Sequence, residues 1–591
     1  MIFSTPKQIF PARDLFFCLG ILLVFGWGIQ PAVHGKLVSP YDLNRVAFVY
    51  GGNSDGLPSL EPLKESYLKL SFTEGSVLLG SLMEKSGETA SASFEDLHLL
   101  GEVPVQYLKS LGYEGLVAFP DPNQIDPITG KDLRAEDDLE LRILVWVSRL
   151  KRVRVENQGI PEDRFTQLQE QLADSIPDDS ADPLPLMQEQ LRFWKRLDRS
   201  PSRSSNVLLT PGDEPGQVIA LIRVKPEKQQ GYFVKAMNAG TESTGEWIIG
   251  GSFHRNQLSA SDDRLELSYF SSDTSERKAF GAFYKRPLLF PEVLTFQARA
   301  GYSTYDASNF AITRVDFEGE TRSLDLSLRW QPLEFEGEKH EWSFELGLKG
   351  EQVEAQNSLV SGRADAEILT PRASVSLLTK GRYLRTYTQL ELRGNLSGID
   401  ATDRTLLGGV GAEDRFARLS LGHMESLKIG KWMRETVSRD LPDYLDGHLL
   451  VSRLVADYGL EKIRHLPQHQ FISGGTGSVR GYPESPVAGD NGYFASIEYR
   501  IPMPLENHEM VYGTLIPFVD WSETFVNDPL SYESDHSLLG AGVGIDLRFS
   551  GGLRARLDFA KPLREINQGG TTLEGTASGD SRVHAMIRWD F

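Results

Sequence analysis

Arg480 is an arginine framed by glycine. Residues Phe471 to Tyr482 run Phe-Ile-Ser-Gly-Gly-Thr-Gly-Ser-Val-Arg-Gly-Tyr. Gly474, Gly475 and Gly481 permit positive φ and close backbone approach. The guanidinium of Arg480, between Val479 and Gly481-Tyr482, offers five donors in a rigid fork. Such a fork, enclosed, needs a carboxylate. One candidate lies downstream, Asp520 in Phe518-Val519-Asp520. A shielded pair of this kind clamps a loop. An arginine in an open loop is usually solvated, and the residues alone leave both readings open.

Other reactive side chains do not assemble into a catalyst. His465 and His469 are the closest histidines, at i and i+4. Pro467 between them breaks the helix that would place both on one metal. Gly551-Gly552 and Gly474-Gly475 are not followed by Lys-Ser/Thr, so they make no phosphate loop. No nucleophile elbow is present. The one cysteine, Cys18, sits near the N-terminus, which excludes disulfide scaffolds and thiolate chemistry from the rest of the chain. The expectation is no enzyme, no cofactor and no metal site.

The elements that must hold Arg480 follow from length and pattern. The chain has 591 residues and a formal charge of −20. Several domains are expected, and a nucleic-acid partner is not. Lys7 and Arg13, the apolar run Leu15 to Gly28 and then Val33-His34-Gly35 read as a secretory signal over 1–35. The run is short of the roughly 20 residues of a spanning helix. No later run is apolar enough to span, so membrane residence requires a closed β-barrel.

From about residue 230 to 591 the period is two. Leu265, Leu267 and Tyr269 alternate with polar residues, as do Trp342, Phe344, Leu346 and Leu348. Leu539, Ala541, Val543, Ile545 and Leu547 alternate with Gly540, Gly542, Gly544, Asp546 and Arg548. About sixteen or seventeen such segments, each of about ten residues, suit tilted membrane crossings. A soluble β-sandwich also alternates; the strand number and the leader favour the barrel. The last strand ends on Trp589 and Phe591, with Val583, Ala585, Ile587, Trp589 and Phe591 on one face. That face reads as lipid-facing.

Residues 36 to about 229 mix helix and strand, in one order used twice. Arg45 to Tyr50 reads as a strand, Leu60 to Leu70 as a helix, and Phe94 to Leu111 as a helix broken or kinked at Val103-Pro104. Strands follow at Leu116 to Phe119 and Leu141 to Val147. The second round is Arg152 to Val155, helices Phe165 to Ala173 and Met187 to Leu197, then strands Val207 to Leu209 and Val218 to Val224. Segment 84–92 reads as a loop.

These residues carry a resemblance. Val479-Arg480-Gly481-Tyr482 resembles the VRGY/F signature of outer-membrane transporters with POTRA domains, and Phe518-Val519-Asp520 resembles their F-x-D motif. Ser522 stands where that family has glycine. Gly489-Asp490-Asn491-Gly492, with Glu498 and Pro502, is similar to the two-partner-secretion branch (ShlB/FhaC/HecB-type, TpsB-like). So are Asn238, Gly240, Thr244-Gly245, Asn256 and Asp262-Asp263 where the barrel begins.

The resemblance implies a mainly β protein: a 16-stranded antiparallel transmembrane β-barrel after two small α+β POTRA domains (βααββ), at 45–149 and 150–228. The barrel would span 230–591, with the long loop 473–490 carrying the VRGY motif. It implies an outer-membrane transporter that secretes or activates a partner exoprotein, with the POTRA domains in the periplasm binding that polypeptide. Outer-membrane lipid and the barrel-assembly machinery, the latter reading Trp589 and Phe591, would be its other partners. The alternatives are an assembly factor that inserts barrel proteins or moves lipid, and a plain pore or receptor. The family's barrel-plugging helix has no counterpart between Lys36 and Asn44, which leaves the arginine loop as the expected occluding element.

Overall fold

The computed structural model describes residues 41–591 except 74, 85–88, 173–181, 260–261, 311–314, 333–338, 358–361, 439–441, 504–509, 532 and 569–570. The signal over 1–35 lies outside the described residues, as do 85–88 of segment 84–92; the end of that segment is not loop, because Ala90–Ala92 forms a strand paired antiparallel with Tyr41–Leu43. Two compact units divide at Glu227/Lys228.

The first unit holds two small α+β sheets. In one, β1 (Arg45–Tyr50) pairs parallel with β3 (Glu140–Val147), and β2 (Leu116–Pro120) pairs antiparallel with β3 on its other side. Leu141, Ile143, Val145 and Val147 of β3 are buried, as the period of two requires. Helix α1 (Leu79–Met83) and the longer α2 (Phe94–Ser110) accompany this sheet. Helix α2 starts at a capping box in which Ser93 and Asp96 satisfy each other's backbone N–H groups. It buries Leu97, Leu100 and Leu108. In the other sheet β4 (Arg149–Asn157) lies parallel to β6 (Gln217–Pro226), and β5 (Arg203–Pro211) pairs antiparallel with β6. Helices α3 (Glu162–Leu172) and α4 (Gln188–Lys195) bury Leu168, Leu172, Leu191 and Trp194.

Two helix readings change as well. Leu60 to Leu70 is not one helix. Pro62 starts a 3-10 turn over Glu61–Glu65, and the chain then opens at Ser66 so that Tyr67–Lys69 pairs with Ser76–Leu78. The alternation of Leu68 with the exposed Tyr67 and Lys69 wins over helical spacing. Pro104 does not break α2, which runs 17 residues through it. Proline removes one hydrogen bond, but its ring is buried and the flanking Leu100 and Leu108 stay in the core.

The second unit is a closed barrel of sixteen antiparallel strands. They are β7 (Gln230–Met237), β8 (Ile248–Asn256), β9 (Arg264–Ser272), β10 (Arg277–Leu289), β11 (Leu294–Phe310), β12 (Val315–Trp330), β13 (His340–Asn357) and β14 (Gly362–Lys380). Then come β15 (Leu384–Asn395), β16 (Phe416–Lys428), β17 (Leu449–Gly459), β18 (Asn491–Met503), β19 (Met510–Phe525), β20 (His536–Phe549), β21 (Leu553–Pro562) and β22 (Arg582–Asp590). Sequential strands pair, and β22 closes on β7. That seam is short, from Phe233↔Asp590 to Met237↔Met586. The carboxamide of Asn238 extends it, donating to Val583 O at 2.7 Å and accepting from Ala585 N at 2.7 Å.

The outer face is apolar. Leu324, Leu326, Leu328, Trp330, Leu346, Leu348, Val519 and Trp521 are all exposed there. No helix among the described residues is long and apolar enough to cross a membrane; the strands cross instead. On the long strands the polarity then inverts. Beyond Leu324 and Leu348 the same face carries Arg322 and Glu320 on β12 and Gln352 and Glu354 on β13, while Val353, Ala355, Ala364, Ala366 and Ile368 turn inward and are buried. The switch marks one border of the lipid belt. At the opposite rim, where the barrel chain enters and leaves, Trp330, Trp342, Trp589 and Phe591 are exposed, as an interfacial aromatic girdle requires.

Candidate functional site

The chain between β17 and β18 re-enters the barrel. Its base is a ribbon in which Phe471–Ser473 pairs with Val487–Gly489. Asp490, fully buried, ties that base down. Its carboxylate accepts from His465 N at 2.7 Å and from Asn527 N at 2.8 Å. At the tip, Val479, Arg480 and Tyr482 are buried.

Arg480 meets the wall through a fan of bonds. Nε donates to Asp520 Oδ2 at 2.7 Å and Nη2 to Asp520 Oδ1 at 2.8 Å, the bidentate geometry that makes such pairs strong. Nη1 donates to Glu498 Oε1 at 2.9 Å. The backbone N–H of Arg480 also reaches Asp520, at 3.1 Å. The guanidinium stacks 3.4 Å from the ring centroid of Phe518, a cation–π contact. Asp520 is fully buried and takes a further bond from Ser496 Oγ at 2.6 Å. Glu498 is shared with Arg556 at 3.2 Å and Arg500 at 2.7 Å, and Arg556 reaches Asp558 at 2.9 Å. The ladder thus runs across β18, β19 and β21 on their inward faces.

Two glycines make room. Gly481 sits at φ 99 and donates its N–H to His584 Nε2 at 3.2 Å. On β20, a Cβ at Gly540 would lie 2.1 Å from the carbonyl oxygen of Arg480. Gly540 is therefore the bed of the loop tip, while Gly542 and Gly544, next on the same stripe, leave room for Phe518 and Asp558 of the wall. Tyr482 completes the attachment, its hydroxyl donating to Arg564 O at 2.6 Å and accepting from Leu539 N at 3.2 Å.

The structure brings together Arg480, Asp520, Phe518, Val479, Gly481 and Tyr482, with Gly474, Gly475, Gly489 and Asp490 framing the loop. Glu498, noted only as part of the resemblance, is a direct partner. Ser522, where the related family has glycine, is fully buried on β19 without a hydrogen-bond partner for its hydroxyl. Asn238 serves the seam. Asp263 caps the turn after β8, accepting from Leu258 N at 2.7 Å and Ser259 N at 3.0 Å. Trp589 and Phe591 lie on the outer face, ring centroids 4.6 Å apart.

His465 and His469 both pack on the ring of Phe416, at 5.3 and 4.7 Å. Burial, with Arg418 adding to it, pushes His465 down to about 4; burial, with Arg393 adding to it, pushes His469 down to about 3. Sequence spacing also missed Arg464. It donates to Glu533 through two nitrogens at 2.6 and 2.8 Å, to Val410 O at 3.0 Å and to Asp528 O at 3.0 Å. One side chain thereby ties three loops of the far rim. Beneath them, segment 396–415 with α5 (Ala401–Leu406) packs Ile399 and Ala412 on Val353, Ala366 and Ile368. The arginine loop is therefore not the sole element at that mouth.

Residues 445–574, which hold Arg480, Glu498, Phe518, Asp520 and Asp558, match the Omp85 superfamily domain. The matched segment lies within the barrel, and a sixteen-stranded barrel with this match implies an outer-membrane location. Among solved structures the fold is similar to CdiB from Escherichia coli, at 15% identity, covering 95% of this chain and 92% of that chain with a TM-score of 0.62. It is also similar to CdiB from Acinetobacter baumannii, at 14% identity, 95% and 92% coverage and a TM-score of 0.58. At such identities the likeness is one of fold, and it extends beyond the Omp85 domain to nearly the whole chain. No curated protein sequence matches this chain.

Proposed function

We propose that this protein is an outer-membrane polypeptide transporter of two-partner-secretion type. The two small α+β sheets are then POTRA domains in the periplasm, which capture an extended partner chain by strand addition. The barrel is the conduit, and the loop held by Arg480 occupies it at rest. The observation that carries the reading is the buried Arg480–Asp520–Glu498 ladder inside a closed barrel. A plain pore has no need of a long loop clamped in its lumen, and none of the 227 residues before the barrel. The similarity of Gly489-Asp490 to the secretion branch, and a fold shared with CdiB, favour secretion over barrel assembly.

The test is to find whether a large secreted exoprotein is encoded beside this chain and to follow that exoprotein's secretion. That exoprotein should reach the medium only when the transporter is present, and should fail to do so with Arg480→Ala, although the barrel still fractionates with the outer membrane and shifts on heating in gels. Equal export without the transporter would overturn the reading. Depletion that lowers other barrel proteins instead would establish the assembly role.

A further inference from the structure

The segment between β16 and β17 is long for the terminal rim, where β14 and β15 are joined by three residues, 381–383. It carries helix α6 (Ile429–Thr436) and a 3-10 turn, Asp443–Gly447. Along α6 and its cap, Ile429, Trp432, Met433, Thr436 and Val437 fall at i, i+3, i+4, i+7 and i+8, one face of a helix. That face is not buried: Trp432 is 40% exposed and Val437 68%. An apolar stripe left open beside a membrane barrel calls for an occupant.

The helix is tied to the terminal rim. Arg382, in the neighbouring turn, pairs with Glu435 at 2.9 Å. Behind the helix, Arg434 pairs with Asp446 at 3.2 Å. Tyr444, 69% exposed, sets its ring 6.1 Å from His448, and His448 meets the hydroxyl of Tyr499 at 2.8 Å. Tyr499 shares the outward face of β18 with Ile497, which is 56% exposed. A Cβ at Gly430 of α6 would strike the carbonyl of Leu445, so the helix packs on a turn that itself joins the outward face of β18. Lys428 and Lys431 have no ion partner among the described residues, and their stems can lie along the interface with the ammonium groups in water.

The geometry points to α6 as an interfacial anchor. It lies in the headgroup zone of the leaflet at the terminal rim, with Trp432 and Val437 turned into lipid. Its occupant is the bilayer, not a polypeptide. Helices of this kind sink about 5–10 Å into the headgroup and acyl boundary. The anchor fixes the depth of the rim beside β16 and β17, the strands that lead into the clamped loop. The inference rests on the membrane reading of the barrel.

The test uses the full chain with Cys18→Ser, reconstituted in phosphatidylethanolamine and phosphatidylglycerol vesicles. Single cysteines at Val437→Cys, Tyr444→Cys, Lys431→Cys and, as a belt control, Leu346→Cys carry an environment-sensitive fluorophore. Gel mobility before and after heating shows that each barrel is folded. Spin-labelled lipid should remove more than half of the emission at 437, 444 and 346, and little at 431, where aqueous iodide should quench. Iodide quenching at 437 and 444 without lipid quenching would overturn the anchor while leaving the barrel intact. Shielding from both quenchers would also overturn it, because protein would then cover the face. Iodide quenching at 346 would overturn the membrane reading itself.

Discussion

Arg480 is hydrogen-bonded to two carboxylates, with a third, Asp558, at 3.8 Å, and this shapes what its loss should do. Arg480→Ala strands Asp520, which is fully buried with only Ser496 and a backbone N–H left as donors among the described residues. Breaking a buried pair costs about 3–5 kcal/mol. Asp520→Ala should cost less, because Glu498 still binds Arg480 at 2.9 Å. The double mutant should be no worse than Arg480→Ala, and a cycle read by unfolding in detergent should give a coupling of about 1–3 kcal/mol. Additive losses would show that the fork is not held by Asp520. Asp96 offers a second residue-scale test. Burial alone would raise its carboxyl, but hydrogen bonds from Ser71 and Ser93 outweigh burial and hold it below the ordinary value of 3.8. With the folded value depressed, its stabilisation is present above the ordinary value and is lost as pH falls through the folded one. Asp96→Ala should make the first unit easier to cleave by limited proteolysis at neutral pH, and should flatten the acid-induced rise in cleavage that the parent shows.

Among the elements, β20 decides whether the loop can lie in the barrel. Its inward stripe is glycine, and at Gly540 a side chain would collide with the backbone of Arg480. Backbone cannot yield as a flexible side chain can, so Gly540→Val should lift the loop tip without harming the strand, since valine suits a strand. The expected outcome is an inserted barrel with cleavage near Ser478 by added protease and a larger single-channel conductance. Unchanged conductance with a protected loop would place the bed elsewhere.

At the scale of the whole barrel, the inversion of polarity along β13 sets the lipid border. Leu346 is 68% exposed inside the belt, and Gln352, on the same outward face, lies beyond it. Leu346→Arg should cost about 2–4 kcal/mol, as for a charge near the bilayer midplane, and should lower the amount of heat-modifiable barrel in the outer membrane. Gln352→Arg should leave that amount unchanged. Equal losses would mean that the border lies farther out.

Much of this was legible in the chain because it is periodic and local. Alternation at Leu539 to Leu547 announces a wall with two faces, although what the glycine face receives was not readable there. The five strands after the arginine loop could be read directly, since a strand is written in its own residues. The tie from Arg480 to Asp520 was readable only as one candidate pair. Three things lay beyond the sequence. Glu498, Asp558 and Arg556 join Arg480 only because the register levels the inward faces of β18, β19 and, across the glycine-lined β20, β21, and register is a property of paired strands. Arg464 gathers loops after β15, β17 and β19, whose meeting depends on barrel closure. The 3-10 turn at Glu61–Glu65 and the unbroken helix through Pro104 were decided by packing, which outweighs local propensity when Leu63, Leu100 and Leu108 have a core to enter. The sequence by itself determined the two faces of every strand and the residues that could clamp. The tertiary structure decided which of them meet, because ion pairs form across strands that are neighbours in space and remote in the chain.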